Sequence, residues 1–379
     1  MKEGVEMEKI KAFLQRKEIE LSWKRYFIDA MSAMAQGLFC TLLVGTILNT
    51  LGTYCNIGFL QHLFTVKLGH GAGMMVQFTI GDFCSAMVGP GMAVAIGRAL
   101  KAPPLVLISL VPVGFVVNAM GGAGGPLAVF FVAILAAELG KVVSKETPVD
   151  ILVTPLVTIL SGVGISYLIS AHIGAAANAV GSFIMWATEL QPFLMGIAVS
   201  VLVGVALTLP ISSAAICAAL GITGLAGGAA VAGCCAQMVG FAVMSFKENR
   251  WGGLVSQGLG TSMLQMGNIV RNPRIWIVPT VVSAITGPIA TCLFKLQMNG
   301  LPVNSGMGTC GLCGPIGVWT GWISPSKEAL AKNATAITPD AMDWIGLVLI
   351  CVVLPAVLCW AGGLLLRKIG WIKENDLKL

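Results

Sequence analysis

From Ile151 to Phe246 the chain carries a single formally charged side chain, Glu189. Soluble domains are roughly a quarter charged throughout, so a stretch this long without charge has no face to turn to water. It must fold in lipid. The remainder agrees, with 56% of the 379 residues hydrophobic and 11% charged, and an integral membrane protein follows. Nucleic-acid binders and most soluble enzymes are thereby excluded. The formal net charge of +6 reports orientation rather than a polyanionic partner, because Lys and Arg sit beside apolar runs.

A helix needs about 20 apolar residues to cross the hydrocarbon layer. On that measure the sequence predicts spans near 28–52, 72–97, 103–118, 125–144, 151–171, 172–189, 192–209, 225–246, 275–294 and 342–366. The expected fold class is an all-α polytopic membrane protein of about ten transmembrane helices. Apolar, Gly-rich pieces too short to cross, near 53–71, 119–124, 210–223, 254–270 and 304–316, read as re-entrant segments. The segment 172–189, between His172 and Glu189, has an alternative reading as an amphipathic connector, with 210–246 supplying two short crossings.

Residues 1–26 carry seven Lys/Arg and five Glu without an apolar core or cleavage site, so they do not read as a signal peptide. Ile10, Phe13, Leu14 and Leu21 share a helical face, as in a cytoplasmic amphipathic helix lying on the membrane surface. With that terminus inside, the basic turns Arg98/Lys101, Lys141/Lys145, Lys247/Arg250, Arg271/Arg274 and Arg367/Lys368 fall on the cytoplasmic side. Only Lys67, Lys295, Lys327 and Lys332 lie outside, as the positive-inside rule expects. Both termini are expected in the cytoplasm and the bilayer is the chain's solvent. The eleven Cys are scattered in apolar segments and suggest no disulfide framework. Cys310 and Cys313 have a Cys-x-x-Cys spacing but lack the further ligands a zinc site needs.

Three echoes occur in the same order. Gly37-Leu-Phe-Cys-Thr-Leu-Leu-Val-Gly45 resembles Gly196-Ile-Ala-Val-Ser-Val-Leu-Val-Gly204. Ile96-Gly97 with Leu100-Lys101 and Pro103 resembles Met266-Gly267 with Val270-Arg271 and Pro273. Met120-Gly121 to Gly125-Pro126 resembles Met307-Gly308 to Gly314-Pro315. They predict two repeats in a chain divided as an amino-terminal helix 1–26, a first repeat 27–150, connecting helices 151–190, a second repeat 191–368 and a cytoplasmic tail 369–379. The positions of the basic echoes make the repeats parallel; a connector at 172–189 would make them inverted. Repeat architecture is common in transporters, whose sites lie near the midplane where discontinuous helices of the two halves meet.

The candidate site residues follow from that expectation. Gly-rich backbone at membrane depth is tolerated only where it lines a cavity or is buried in protein, which singles out Asn304, Ser305, Thr309 and Gly311, with Asn118, Gly121, Gly122 and Gly124 in the first half. The loop with Ser212 and Ser213 matches Asn49-Thr50-Leu-Gly52. Ser or Thr bonded to its own helix backbone is the competing reading. Gly306-x-Gly308-x-x-Gly311 has dinucleotide-fingerprint spacing, but that motif carries meaning only after a strand in a soluble βαβ unit. Asp82, an acid inside an expected span, is functional by default, with pairing to His70 or Arg98 as the structural alternative. Glu138, nearer the cytoplasmic end, is expected to snorkel or to pair with Lys141 or Lys145 rather than to be catalytic. His70 could accept a phosphoryl group or a proton, though a lone loop His is usually structural. No catalytic set is visible, and no cofactor or metal is expected.

Three phrases carry a resemblance: Glu146-Thr-Pro-Val-Asp-Ile-Leu-Val-Thr-Pro-Leu-Val-Thr158, Leu209-Pro-Ile-Ser-Ser-Ala-Ala-Ile216 and Gly306-Met-Gly-Thr-Cys-Gly-Leu-Cys-Gly-Pro315. They are similar to the membrane IIC subunits of the bacterial sugar phosphotransferase system (PTS), in the branch of perfringolysin O regulator-like proteins. Asn268-Ile-Val-Arg-Asn-Pro-Arg-Ile-Trp-Ile-Val-Pro279 and Gly287-Pro-Ile-Ala-Thr291 fit as well. The resemblance implies a homodimeric multispanning protein of the bacterial inner membrane that passes a solute, with re-entrant segments forming the site. The Gly-Ile-Thr-Glu-Pro-like motif of better-understood sugar IIC proteins is not found, nor is a IIA or IIB domain, so phosphorylation-coupled uptake would need separate partner chains. The expected function is transport of a small polar solute, a sugar or organic anion, by alternating access. A membrane sensor that reports ligand occupancy to a cytoplasmic partner is the alternative.

Overall fold

The computed structural model describes residue 8, residues 11–68 and residues 74–379. In chain order, α1 is Lys24–Thr53, followed by an antiparallel pair of strands, β1 (Phe64–Leu68) and β2 (Met74–Phe78), with Phe64 opposite Phe78 and Val66 opposite Val76. Then come α2 (Ile80–Ala86), α3 (Val88–Ala99), α4 (Pro104–Gly121), α5 (Gly125–Val143) and α6 (Asp150–Thr188). The remainder comprises α7 (Pro192–Thr208), α8 (Ser213–Ala219), α9 (Gly224–Met244), α10 (Pro273–Leu293), α11 (Cys313–Ile323) and α12 (Ala341–Lys368). Wide turns with i→i+5 bonding interrupt α1 at Phe39–Leu43 and α12 at Leu349–Val353, and another ends α10 at Ile289–Leu293.

The protein is predominantly helical, and six helical runs among the described residues are long and apolar enough to cross a membrane, or seven if α2 and α3 are one span. Three expectations need correction. The span at 72–97 is strand β2 followed by α2 and α3, which bend by 51° at Met87; Pro90 and two neighbouring glycines sit just after this break. The separate span at 172–189 is the continuation of α6, whose 39 residues run as one helix with a contour of about 58 Å at 1.5 Å per residue; no turn separates its halves. The re-entrant piece at 53–71 contains β1, a departure from an all-α chain.

The chain divides into two compact units. One contains residues 1–41 and 86–174. Here α4 and α5 form an antiparallel hairpin, with Gly140 against Val106 near one end and Gly121 against Ala128 near the other. The reversal is made at Gly122, with φ +52° and ψ −123°, a conformation that an L side chain avoids. Arg25 and Lys141 donate to the carbonyl of Leu100, the residue that caps the carboxyl end of α3, at 2.6 and 2.9 Å, supplying cations at a helix carboxyl end. As expected, Glu138 pairs with Lys141, at 2.9 Å.

The second unit contains residues 42–85 and 175–379. At its centre is α9, enclosed by α7, α10 and α12. Small residues allow this in lipid, where association depends on close van der Waals approach: Gly233 meets Ser200 of α7 and Gly240 meets Cys359 of α12. One polar side chain, Gln237, is fully buried in this helix. Its Oε1 accepts from Trp276 Nε1 at 2.9 Å and Thr208 Oγ1 at 3.2 Å, which meets the requirement that buried polar groups be paired.

Candidate functional site

Within the second unit, Asn49 of α1 and Asp82 of α2 are brought together, with Asn49 Nδ2 donating to Asp82 Oδ1 at 2.7 Å. Thr79 joins them. Its hydroxyl donates to Asn49 Oδ1 at 2.7 Å and accepts from the Asp82 backbone N–H at 3.0 Å, while its own N–H donates to Asp82 Oδ2 at 3.1 Å. The Thr79–Asp82 exchange is a reciprocal cap at the start of α2. Asp82 therefore partners Asn49 and Thr79, not Arg98, and it remains half-buried with acceptor capacity left on both oxygens. His70 lies outside the described residues. Thr79 is the residue that sequence reasoning missed, and its signal was the Thr-x-x-Asp spacing before an apolar run.

The other face of the same stretch of α1 meets the Gly-rich segment 302–314. Thr50 Oγ1 lies 3.6 Å from Cys313 Sγ, and Gly311 approaches Thr46 and Ile47. The segment is built from two 3-10 turns, Pro302–Gly306 and Cys310–Leu312. Gly308, Gly311 and Leu312 have φ of +52°, +51° and +60°. Such strain in a non-Gly residue clusters at ligand-holding loops.

Several expected ligand groups are already engaged. Ser305, fully buried, donates to Ile222 O at 2.7 Å; Ser213 donates to Gly306 O at 2.7 Å; Thr309 points at Met238 sulfur, 3.7 Å away. These hydroxyls hold the segment against α8 and α9. Ser212 caps α8, accepting from Ala215 N–H at 3.2 Å. Asn304 differs: half-buried beside Gly317, its amide has no hydrogen-bond partner among the described residues. Cys310 and Cys313 are buried thiols, and no cluster of three metal-ligating side chains occurs among the described residues.

In the first unit Asn118 stands near the end of α4, packed beside Gly89 and Gly125. It too is half-buried, with no side-chain partner among the described residues. Gly121 and Gly122 form the turn between α4 and α5. Each unit thus holds one free carboxamide next to a Gly-rich bend. A carboxamide offers donors and an acceptor, the combination that vicinal hydroxyls of a polyol satisfy.

A family model described as "Phosphotransferase system, EIIC" matches residues 28–379. The chain belongs to the phosphotransferase-system EIIC family. It is accordingly a multi-pass membrane protein and a membrane component of a sugar transport system. EIIC proteins work with IIA and IIB proteins. No curated protein and no solved structure matches the chain.

Proposed function

We propose that this EIIC protein binds a small polar solute, a sugar, and passes it across the bilayer by alternating access, with phosphorylation coupled through a separate IIB protein. The observation that carries the reading is the family match along almost the whole chain. Asn304 is the principal hydrogen-bonding group of the second unit and Asn118 offers the same group in the first, because their carboxamides stand free beside the Gly-rich bends. Asp82, steadied by Asn49 and Thr79, supplies an acceptor for hydroxyl groups. Gly121, Gly122 and Gly311 give backbone access, while Ser212, Ser213, Ser305 and Thr309 hold the loops that present these groups. Two repeats are part of the proposal: in each half a Met-Gly turn precedes a helix that opens on Gly-Pro, Gly125-Pro126 in α5 and Gly314-Pro315 in α11.

The orientation proposed is that of a bacterial inner-membrane protein with both termini cytoplasmic, acting as a homodimer. Grouping of the basic turns supports the orientation. In one unit Arg16, Lys101 and Lys145 line one concavity; in the other, Arg367 pairs with Glu248 at 2.7 Å and Lys247 with Glu374 at 3.4 Å.

The test is a thermal-shift screen of the detergent-purified protein against sugars, since a ligand of the native state raises its apparent stability. A sugar should raise the melting temperature of the parent and leave that of Asn304→Ala unmoved, although the two melt alike without ligand. With phosphorylated IIB enclosed in proteoliposomes as the phosphoryl donor, that sugar should appear inside as its phosphate and IIB should be left dephosphorylated. A panel-wide absence of sugar shifts, or an undiminished shift in Asn304→Ala, would overturn this assignment.

A further inference from the structure

A pocket of about 430 Å³ in the first unit is lined by five cations and only two acids. Three of the cations are engaged. Lys141 donates to Leu100 O and Glu18 O, both at 2.9 Å, while Arg16 and Lys17 share Glu146 at 2.7 and 2.5 Å, Lys17 also reaching Ser144 O. The other two, Lys101 and Lys145, form no ion pair within 4 Å among the described residues, and the nearest acid to Lys145, Asp150, is engaged by the Lys145 backbone N–H at 2.7 Å and the Thr154 hydroxyl at 2.6 Å. Their backbone is as informative as their charge. Each is the residue just past a helix end, Lys101 after α3 and Lys145 after α5, with φ of +55° and +61°. Glycine ordinarily occupies this left-handed position, and a long L side chain is strained there. Twice, therefore, the chain keeps a lysine where glycine would sit without strain, and both lysines line the same concavity. The amino-terminal end of α4, at Pro103 and Pro104, also opens into it and adds the positive end of a helix dipole.

We propose that this pocket is a binding site for a phosphate-bearing anion. A phosphate group carries several acceptor oxygens and at least one full negative charge, so it engages Lys101 and Lys145 together and offsets the excess positive charge; a single carboxylate does so less completely. The volume accommodates a phosphodiester headgroup at the membrane surface or a sugar phosphate from the aqueous side. Basic pockets between helix ends are known to take anionic headgroups.

The variant that tests this is Lys101→Asn/Lys145→Asn, because Asn tolerates the left-handed conformation better than Lys and the fold should keep its melting temperature. Inorganic phosphate, glucose 6-phosphate and short-chain phosphatidylglycerol are titrated separately into the purified full-length protein, with short-chain phosphatidylcholine as control. At least one phosphate-bearing probe should bind, more weakly as salt is raised. Its affinity should fall about thirtyfold in the double variant and about fivefold in each single variant. Saturation by phosphate or glucose 6-phosphate assigns a soluble ester; binding of phosphatidylglycerol alone assigns a lipid headgroup. Absence of binding by all three overturns the proposal, as does equal binding of phosphatidylcholine or undiminished binding in the variants. The Asn304→Ala protein should bind the probe as the parent does, which separates this site from the sugar site.

Discussion

Gly308 lies with φ +52° against α9, where a side-chain Cβ would come within 2.7 Å of the Cβ of Cys234. Neither the backbone nor the space admits another residue. Gly308→Ala should therefore destabilise the protein by roughly 2 to 4 kcal/mol, combining a disfavoured φ with overpacking, and a lowered melting temperature in detergent checks this. The same loop shows what a sequence makes visible at one residue. That Gly306, Gly308 and Gly311 mark irregular backbone was readable from their density. Whether Ser213 and Ser305 bind solute or hold the loop was not, because their acceptors, Gly306 O and Ile222 O, lie 93 and 83 residues away. Asp82 was readable as a polar group in an apolar neighbourhood, but the expected span around it concealed a helix start and its capping threonine.

At the scale of the element, α9 depends on a single polar junction. Gln237→Leu should cost about 1 to 3 kcal/mol, because Trp276 Nε1–H loses its acceptor inside the protein; added Trp276→Phe should recover much of the loss, giving a double-mutant cycle with clear coupling. The helix at residues 11–16 depends on charge instead. Its neighbour Lys17 donates a hydrogen bond to Glu146, which, with Arg16 charge beside it, holds the Glu146 carboxyl below the usual range. A lowered folded pKa means that this stabilisation is complete above the ordinary glutamate value, about 4.3, and is lost as pH falls through the lowered value. Amide exchange in residues 11–17 should therefore accelerate in acid, after correction for intrinsic rates, while α9 stays protected. Glu146→Gln should remove the acid dependence. Long apolar helices such as α10 and α12 were legible because length and hydropathy are local properties. The β1–β2 pair was not, since Phe64 and Phe78 acquire meaning as a pair only through a register that spans the intervening chain.

On the scale of the whole molecule, the distribution of lysine and arginine predicts which surfaces face each compartment. In intact cells a membrane-impermeant maleimide should label Lys327→Cys but not Lys101→Cys or Lys247→Cys, above the background of the exposed native Cys40, Cys55 and Cys292. The reverse pattern would invert the orientation. Membership of the EIIC family was legible from phrases spread along the chain, while the break expected at 171–172 is absent because α6 continues through it without a turn. The helix carries Pro155 near its start but no turn that reverses the chain, and hydropathy alone does not distinguish one long helix from two short crossings.

The wide turns inside α1 and α12 bear on how this chain is compared with its relatives. Each accommodates about one residue more than a regular turn, so the face of the helix that is apolar before the turn is displaced in sequence phase after it. A relative with regular helices would present the same faces with one residue fewer at each of these places. Alignment gaps of a single residue within 39–43 or 349–353 would then mark a conserved surface, although in a membrane helix such gaps ordinarily pass for error.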